Sequence, residues 1–313
     1  SANKTSAIRL RTAHYRITNT VGVFATIAVG RAPNAMVLSP NGELLYVACA
    51  FGDTSIWIID TLRNRVIHHF AVPGTPLHIA INPTAQRLYV TDNSVAVNTP
   101  IRVYNTQDYT LIDTITGFTT VAGITFNANG SRLYVADTGA SELVVINTTN
   151  HQRLSSIPVR EPIDVVISPD NNRAHVATFF DWSILNLHTN TLIDSVDTPS
   201  APSAIAHNPR GAEVYIVSRT GGSVTIGNTV NHGIPQRLTG LSGPLHIAFE
   251  RGRDRAYVSQ TDGDLLGIID TRSRQLIGTY AGFNKPRAVV VAPDGSHGYV
   301  ANIGGDSVSL VVF

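Results

Sequence analysis

Seven short strands of one pattern return along this chain at a spacing of about 40–45 residues. They are Leu45-Tyr46-Val47, Leu88-Tyr89-Val90, Leu133-Tyr134-Val135, Ala174-His175-Val176, Val214-Tyr215-Ile216, Ala256-Tyr257-Val258 and Gly298-Tyr299-Val300. A repeat of this length that carries several strands each time is one supersecondary unit, and it cannot bury its apolar face alone. The unit that fits is a four-stranded antiparallel blade, so the expectation is all-β, a seven-bladed β-propeller. Length alone would suggest two domains for 313 residues at ~150 each. A ring of like units overrides that prior, and residues 1–313 are expected to form one propeller.

The other strands of the unit read the same way in each repeat. Strand A is an apolar run, such as Met36-Val37-Leu38, Ile79-Ala80-Ile81 or Val289-Val290-Val291. Such runs suit a strand covered on both faces. A tight turn follows, as in Pro40-Asn41-Gly42 and Pro293-Asp294-Gly295, where Pro sets the first corner and Gly tolerates the last. Strand B is the anchor. Strand C ends in Asp60-Thr61, Asn105-Thr106, Asn147-Thr148 or an equivalent pair, whose Asp or Asn fixes the next turn. Strand D is outermost. In Val66-Ile67-His68-His69-Phe70 the two histidines are expected on an exposed edge, facing opposite ways.

The seventh repeat stops after its strand C, Ser307–Phe313. The missing strand D is expected from the other terminus, where residues 21–30 match the D-to-A passages elsewhere and residues 1–20 are an extension. Pairing of that segment with the last blade would close the ring and remove a free sheet edge.

Composition excludes more than it reveals. Lys+Arg 23 against Asp+Glu 22 leaves a net charge of +1 without a basic block, so no nucleic-acid footprint is expected. A single cysteine, Cys49, rules out an internal disulfide framework and reads as a small buried hydrophobe. No apolar stretch approaches the ~18 residues of a membrane-spanning helix. The charged fraction of 14% with abundant Thr, Asn and Ser suggests an exported protein, periplasmic or extracellular.

The Leu-Tyr-Val, Pro-x-Gly and Asp-Thr markers together resemble the YVTN family of seven-bladed propellers, over about residues 20–313. The resemblance implies a surface-layer or periplasmic type of protein. Streptogramin-cleaving lyases have a similar-looking propeller. None of these families' catalytic residues matches a position here, so the resemblance implies a fold and no site.

The site is sought instead in loops over the rigid scaffold. In a four-stranded blade the D–A and B–C loops share one face of the disc. Aligning the start of strand A gives Ala35, His78, Gly123, Asp164, Ala204, His246 and Ala288. Four blades place a small residue there; blades two, four and six place His78, Asp164 and His246. Two His and one carboxylate form a known ligand set, so one reading is a shared divalent metal ion with open positions for substrate. A metal-free polar pocket, with a histidine as general base, is the second. In the third, both histidines are inherited blade sequence bonded to neighbouring backbone.

Ligand contacts are expected from the same face: Phe51, Arg160, Glu161, Phe179, Phe180, Trp182, Arg219 and Arg287. Exposed aromatics with a few charges suit a small-molecule pocket, although Trp182 and one Phe would equally cap a blade core. Two classes of function follow. One is an extracytoplasmic module that binds a small molecule or partner protein on the D–A and B–C face. The other is an enzyme (lyase, isomerase or oxidoreductase) centred on His78, Asp164 and His246.

Overall fold

The computed structural model describes residues 22–52, 54–84, 86–93, 97–198 and 201–313. These residues form seven four-stranded antiparallel sheets and no helix. Blades one to six take residues 33–71, 76–115, 121–158, 162–197, 202–238 and 244–280, each in the strand order A, B, C, D from the centre outward. Blade seven contributes Pro286–Val291, His297–Asn302 and Ser307–Val312, and its fourth strand is Gly22–Ala28. The N-terminal strand pairs along Ser307–Val312 from Gly22↔Val312 to Ala28↔Ser307, so the closure expected from the sequence is present. The expected extension 1–20 and residue 21 lie outside the described residues.

Each seam between blades holds its own apolar cluster. Tyr46, Tyr89, Tyr134, Tyr215, Tyr257 and Tyr299 are each at most 1% exposed and pack against the next blade. The phenol is apolar enough to fill a seam and polar enough to be tied at its tip. Tyr89 Oη bonds His151 Nε2 at 3.0 Å in the blade-three turn, and Tyr299 Oη donates to Asn64 Oδ1 at 2.7 Å across the closure.

The seam between blades four and five is built differently. His175 stands where the other blades have tyrosine, and Trp182 fills the space beside it, donating from Nε1 to His175 Nδ1 at 3.2 Å. Gly227 makes that room: a Cβ there would lie 2.4 Å from the Trp182 ring. The outer edge also follows the period-2 rule. His69 stacks on Trp57 and His68 on Tyr109, each pair with centroids 4.6 Å apart.

All seven blades share a break in the A–B ladder. It falls between Pro33/Ala35, Pro76/Ile79, Val121/Ile124, Pro162/Asp164, Pro202/Ala204, Pro244/Ile247 and Pro286/Val289. A bulge frees backbone groups from the ladder and re-aims the local side chains. Here it does so at the inner strand of every blade, beside the central channel.

Ring closure through the N-terminal strand buries Ile27 and Val29 in the blade seven–one cluster, each worth about 1.5–3 kcal/mol. Deleting residues 1–30 is expected to lower the melting temperature by roughly 10 °C or more, checked by calorimetry. An unchanged melting curve contradicts a closing role for this strand.

Candidate functional site

The D–A loops around the mouth are pinned from strand B. Asp92 accepts from Thr75 N, Asp137 from Thr119 N and Thr120 N, Gln260 from Ser242 N, and Asn302 from Asn284 N. These bonds hold the first residues of strand A, which form the wall of the channel.

A cavity of about 140 Å³ opens among those residues, lined by Asn34, Ala35, Leu77, His78, Ser203, Leu245, His246, Arg287 and Ala288, with Met36 and Ile79 behind. The structure thus brings His78, His246 and Arg287 together. It also shows what holds two of them. His246 N donates to Ser259 Oγ at 3.1 Å, and the same hydroxyl donates to Arg287 O at 2.5 Å. His78 N donates to Thr91 Oγ1 at 2.9 Å. Thr91 and Ser259 occupy one position of strand B, two residues past the anchor. The other blades have Ala48, Ala136, Ala177, Val217 and Ala301 there.

His246 Nδ1 accepts from Val289 N at 3.5 Å, at the residue where the blade-seven ladder resumes after its bulge. A backbone N–H can only donate, so the neutral ring carries its proton on Nε2. The His78 ring has no hydrogen-bond partner among the described residues. Burial is the main cause that lowers both imidazoles to about 4; the Arg287 charge lowers both further, and His246 adds to the effect on His78. Both rings are therefore neutral at pH 7. The Arg287 guanidinium is itself held below its ordinary value, first by burial and then by Arg219.

Asp164 does not join them. Its Oδ1 accepts from Val165 N at 2.9 Å and its Oδ2 from Ile205 N at 3.0 Å, so the carboxylate buckles blade four to blade five. It also lies against Gly123, where a Cβ would come within 2.6 Å of Oδ1. Burial raises its carboxyl to about 6 despite those two amides. Among the described residues no group of three or more His, Cys, Asp or Glu is gathered closely enough to hold a metal ion. The three-ligand set expected of His78, Asp164 and His246 is not formed; the Asp164 carboxylate is taken up by the Val165 and Ile205 amides in its own seam.

The remaining expected contacts divide. Trp182 is fully buried in the blade four–five core, out of a ligand's reach. Phe179 and Phe180 are exposed on the B–C loop of blade four, with the Arg160 guanidinium 3.6 Å from the Phe180 centroid. Glu161 supplies a backbone carbonyl to Phe179 N. Phe51 is exposed on the blade-one loop, and Arg219 pairs with Asp262 at 3.0 Å. Of the eight, Arg287 alone lines the cavity. Sequence reasoning missed Asn34, Ser203, Thr91 and Ser259. The signal was present: Asn34, Ser203 and Arg287 are the polar members of the position before the aligned one, against Leu77, Ala122, Ile163 and Leu245.

Larger cavities of about 380 and 650 Å³ lie on the opposite face, at the blade one–two and four–five seams. Several of their polar side chains are already engaged, as in Ser39 Oγ to Asn41, His188 to Asn172, and Arg173 to the Thr229 carbonyl.

No protein-family model matches the chain. It is similar to the uncharacterized protein YncE of Salmonella typhimurium and of Salmonella typhi, 23% identical to each over 192 residues. That match takes in 59% of this chain and 53% of each relative, so the chain spans about half the length of the curated relatives it matches. Among solved structures it is similar to Kuenenia stuttgartiensis hydrazine synthase, with a TM-score of 0.81 at 19% identity over 95% of this chain and 98% of that one. It is also similar to the β-propeller domain of Myceliophteria thermophila Cps50 (Swd1), with a TM-score of 0.79 at 12% identity over 92% and 99%. These likenesses bear out the resemblance to YVTN-type propellers and the seven-bladed fold, a fold consistent with ligand or partner binding. No helix among the described residues is long and apolar enough to cross a membrane.

Asp164 gives the blade four–five seam a pH signature. Its folded value of about 6 exceeds the ordinary 3.8, so the folded chain holds this proton more tightly than the unfolded one. The group favours folding below pH 4, and that contribution is lost as pH rises through 6. The melting temperature of Asp164→Asn relative to wild type is expected to shift in the variant's favour from pH 4 to pH 7. A constant difference across the window contradicts the assignment.

Proposed function

We propose that this chain is a small-molecule-binding propeller whose ligand occupies the mouth cavity on the D–A and B–C face. One observation carries the reading. Blades two and six depart from the repeat together at two positions, His78 with Thr91 and His246 with Ser259, and both departures serve one cavity. A purely structural histidine needs no such paired change. The cavity is concave, walled by Leu77 and Leu245, and has a few convergent polar groups, as ligand sites do. The low charged fraction supports placing the protein outside the cytoplasm.

Binding is favoured over catalysis by the state of the two rings. A general base works best with a value near the working pH, and imidazoles at about 4 are weak bases at pH 7. Neutral imidazoles are good hydrogen-bond partners for a bound molecule. The enzyme reading needs a bound substrate that raises the value of one ring from about 4 toward the working pH.

The test is a thermal-shift screen of a small-metabolite library on the wild type and on His78→Ala/His246→Ala. Hits that stabilise the wild type are expected to lose at least tenfold in affinity in the double variant, whose own melting temperature stays within a few degrees of wild type. Hits that bind both proteins equally contradict the mouth cavity as the site.

A further inference from the structure

We propose that the group recognised in this cavity is a small oxyanion, a carboxylate-, sulfate- or phosphate-sized group paired with the Arg287 guanidinium and hydrogen-bonded by His246 and His78. The inference rests on the mouth-cavity reading above and names its ligand class.

Arg287 is partly buried and has no carboxylate, carbonyl or hydroxyl acceptor among the described residues. Four other arginines near seams and loops have acceptors. Arg102 pairs with Asp92 at 2.7 Å, Arg173 donates to the Thr229 carbonyl at 2.8 Å, Arg87 to the Thr148 carbonyl at 3.0 Å, and Arg219 bonds Asp262. A desolvated cation without a partner is costly to fold. The neighbouring charge that acts on Arg287 is Arg219, of the same sign, and no carboxylate lines the cavity. The missing partner is therefore an anion that the protein does not itself supply.

The other donors agree. The Val289 amide occupies His246 Nδ1, which leaves the Nε2–H for an acceptor on the cavity side. The Ser259 hydroxyl ties the His246 backbone to the Arg287 carbonyl, so the two donors are set relative to each other before any ligand arrives. A planar guanidinium fork matches a carboxylate, sulfate or phosphate with two parallel bonds. At about 140 Å³ the cavity falls below the ~300–1,000 Å³ of drug-sized sites. It holds a charged head group, with any remainder of the ligand extending out of the mouth.

Binding is coupled to protons. The titratable and charged groups facing the two rings are each other, Arg287 on blade seven and, at the rim, Arg219 of blade five paired with Asp262 of blade six. Asp164 is turned away into the blade four–five seam. An anion placed among these groups offsets the Arg287 charge and favours the protonated imidazoles. Proton uptake on binding makes affinity rise as pH falls.

The test is calorimetric titration of the full chain with sulfate, whose charge is constant across the range, and with acetate, at constant ionic strength from pH 7.5 to pH 5. Saturable one-to-one binding is expected, tightening about tenfold toward pH 5 as one ring gains a proton. Arg287→Gln is expected to lose binding at least tenfold while melting at or above the wild-type temperature, since an unpaired buried charge is removed. Arg287→Lys recovers part of the affinity. Absence of saturable binding of either anion to the wild type overturns the proposal, as does equal binding to Arg287→Gln. Neutral amides and polyols titrated in parallel separate the two levels. If they bind the wild type and lose affinity in His78→Ala/His246→Ala while anions do not bind, the ligand class is wrong and the mouth site stands. If nothing binds, both fall.

Discussion

The structure depends on one repeated contact: the strand-B side chain of each blade packing into the seam with its neighbour. A four-stranded blade has two apolar faces and no core of its own, so each seam must bury what two blades expose. Tyrosine fills that seam six times at 0–1% exposure. The seventh seam keeps its packing with another pair of side chains, His175 and Trp182, and accommodates them by reducing residue 227 to glycine. Because every seam needs two blades, the ring is useful only when closed, and closure falls to Gly22–Ala28 against Ser307–Val312.

That closed ring fixes the inner strands, and the inner strands carry the chemistry. The bulge near the start of strand A recurs in all seven blades. Just past it, the backbone amide of one blade meets a side chain of the blade before it in two places: Asp164 accepts from Ile205 N, and His246 from Val289 N. The same backbone feature thus serves two ends. In blade four it makes a seam clasp of a carboxylate. In blade six it orients an imidazole for the cavity, with Ser259 and Arg287 set around it.

Much of this was legible in the sequence, and the rest was hidden for identifiable reasons. The Leu-Tyr-Val period and the truncated last repeat imply the blade count and the split blade, because burial and edge pairing leave few alternatives. Alignment of strand A was enough to single out His78 and His246. It could not say which way Asp164 turns, since a bulge changes side-chain direction without altering spacing. It also could not tell that Trp182 points into a seam, because residue 182 sits at a loop edge and its partner Gly227 lies one blade away. Arg287 stood among eight loop candidates of equal standing; its place in the cavity wall, with no acceptor beside it, sets it apart.

The central claim is that His78, His246 and Arg287 share one partly desolvated cavity at the channel mouth. Titration of the two imidazoles by NMR, in the wild type and in Arg287→Gln, tests it most directly. The account predicts values near 4 for both rings in the wild type. It predicts that both move upward in the variant, since a positive neighbour is removed. Ordinary values near 6.5, indifferent to Arg287→Gln, would place the rings in open solvent apart from the arginine and contradict the account.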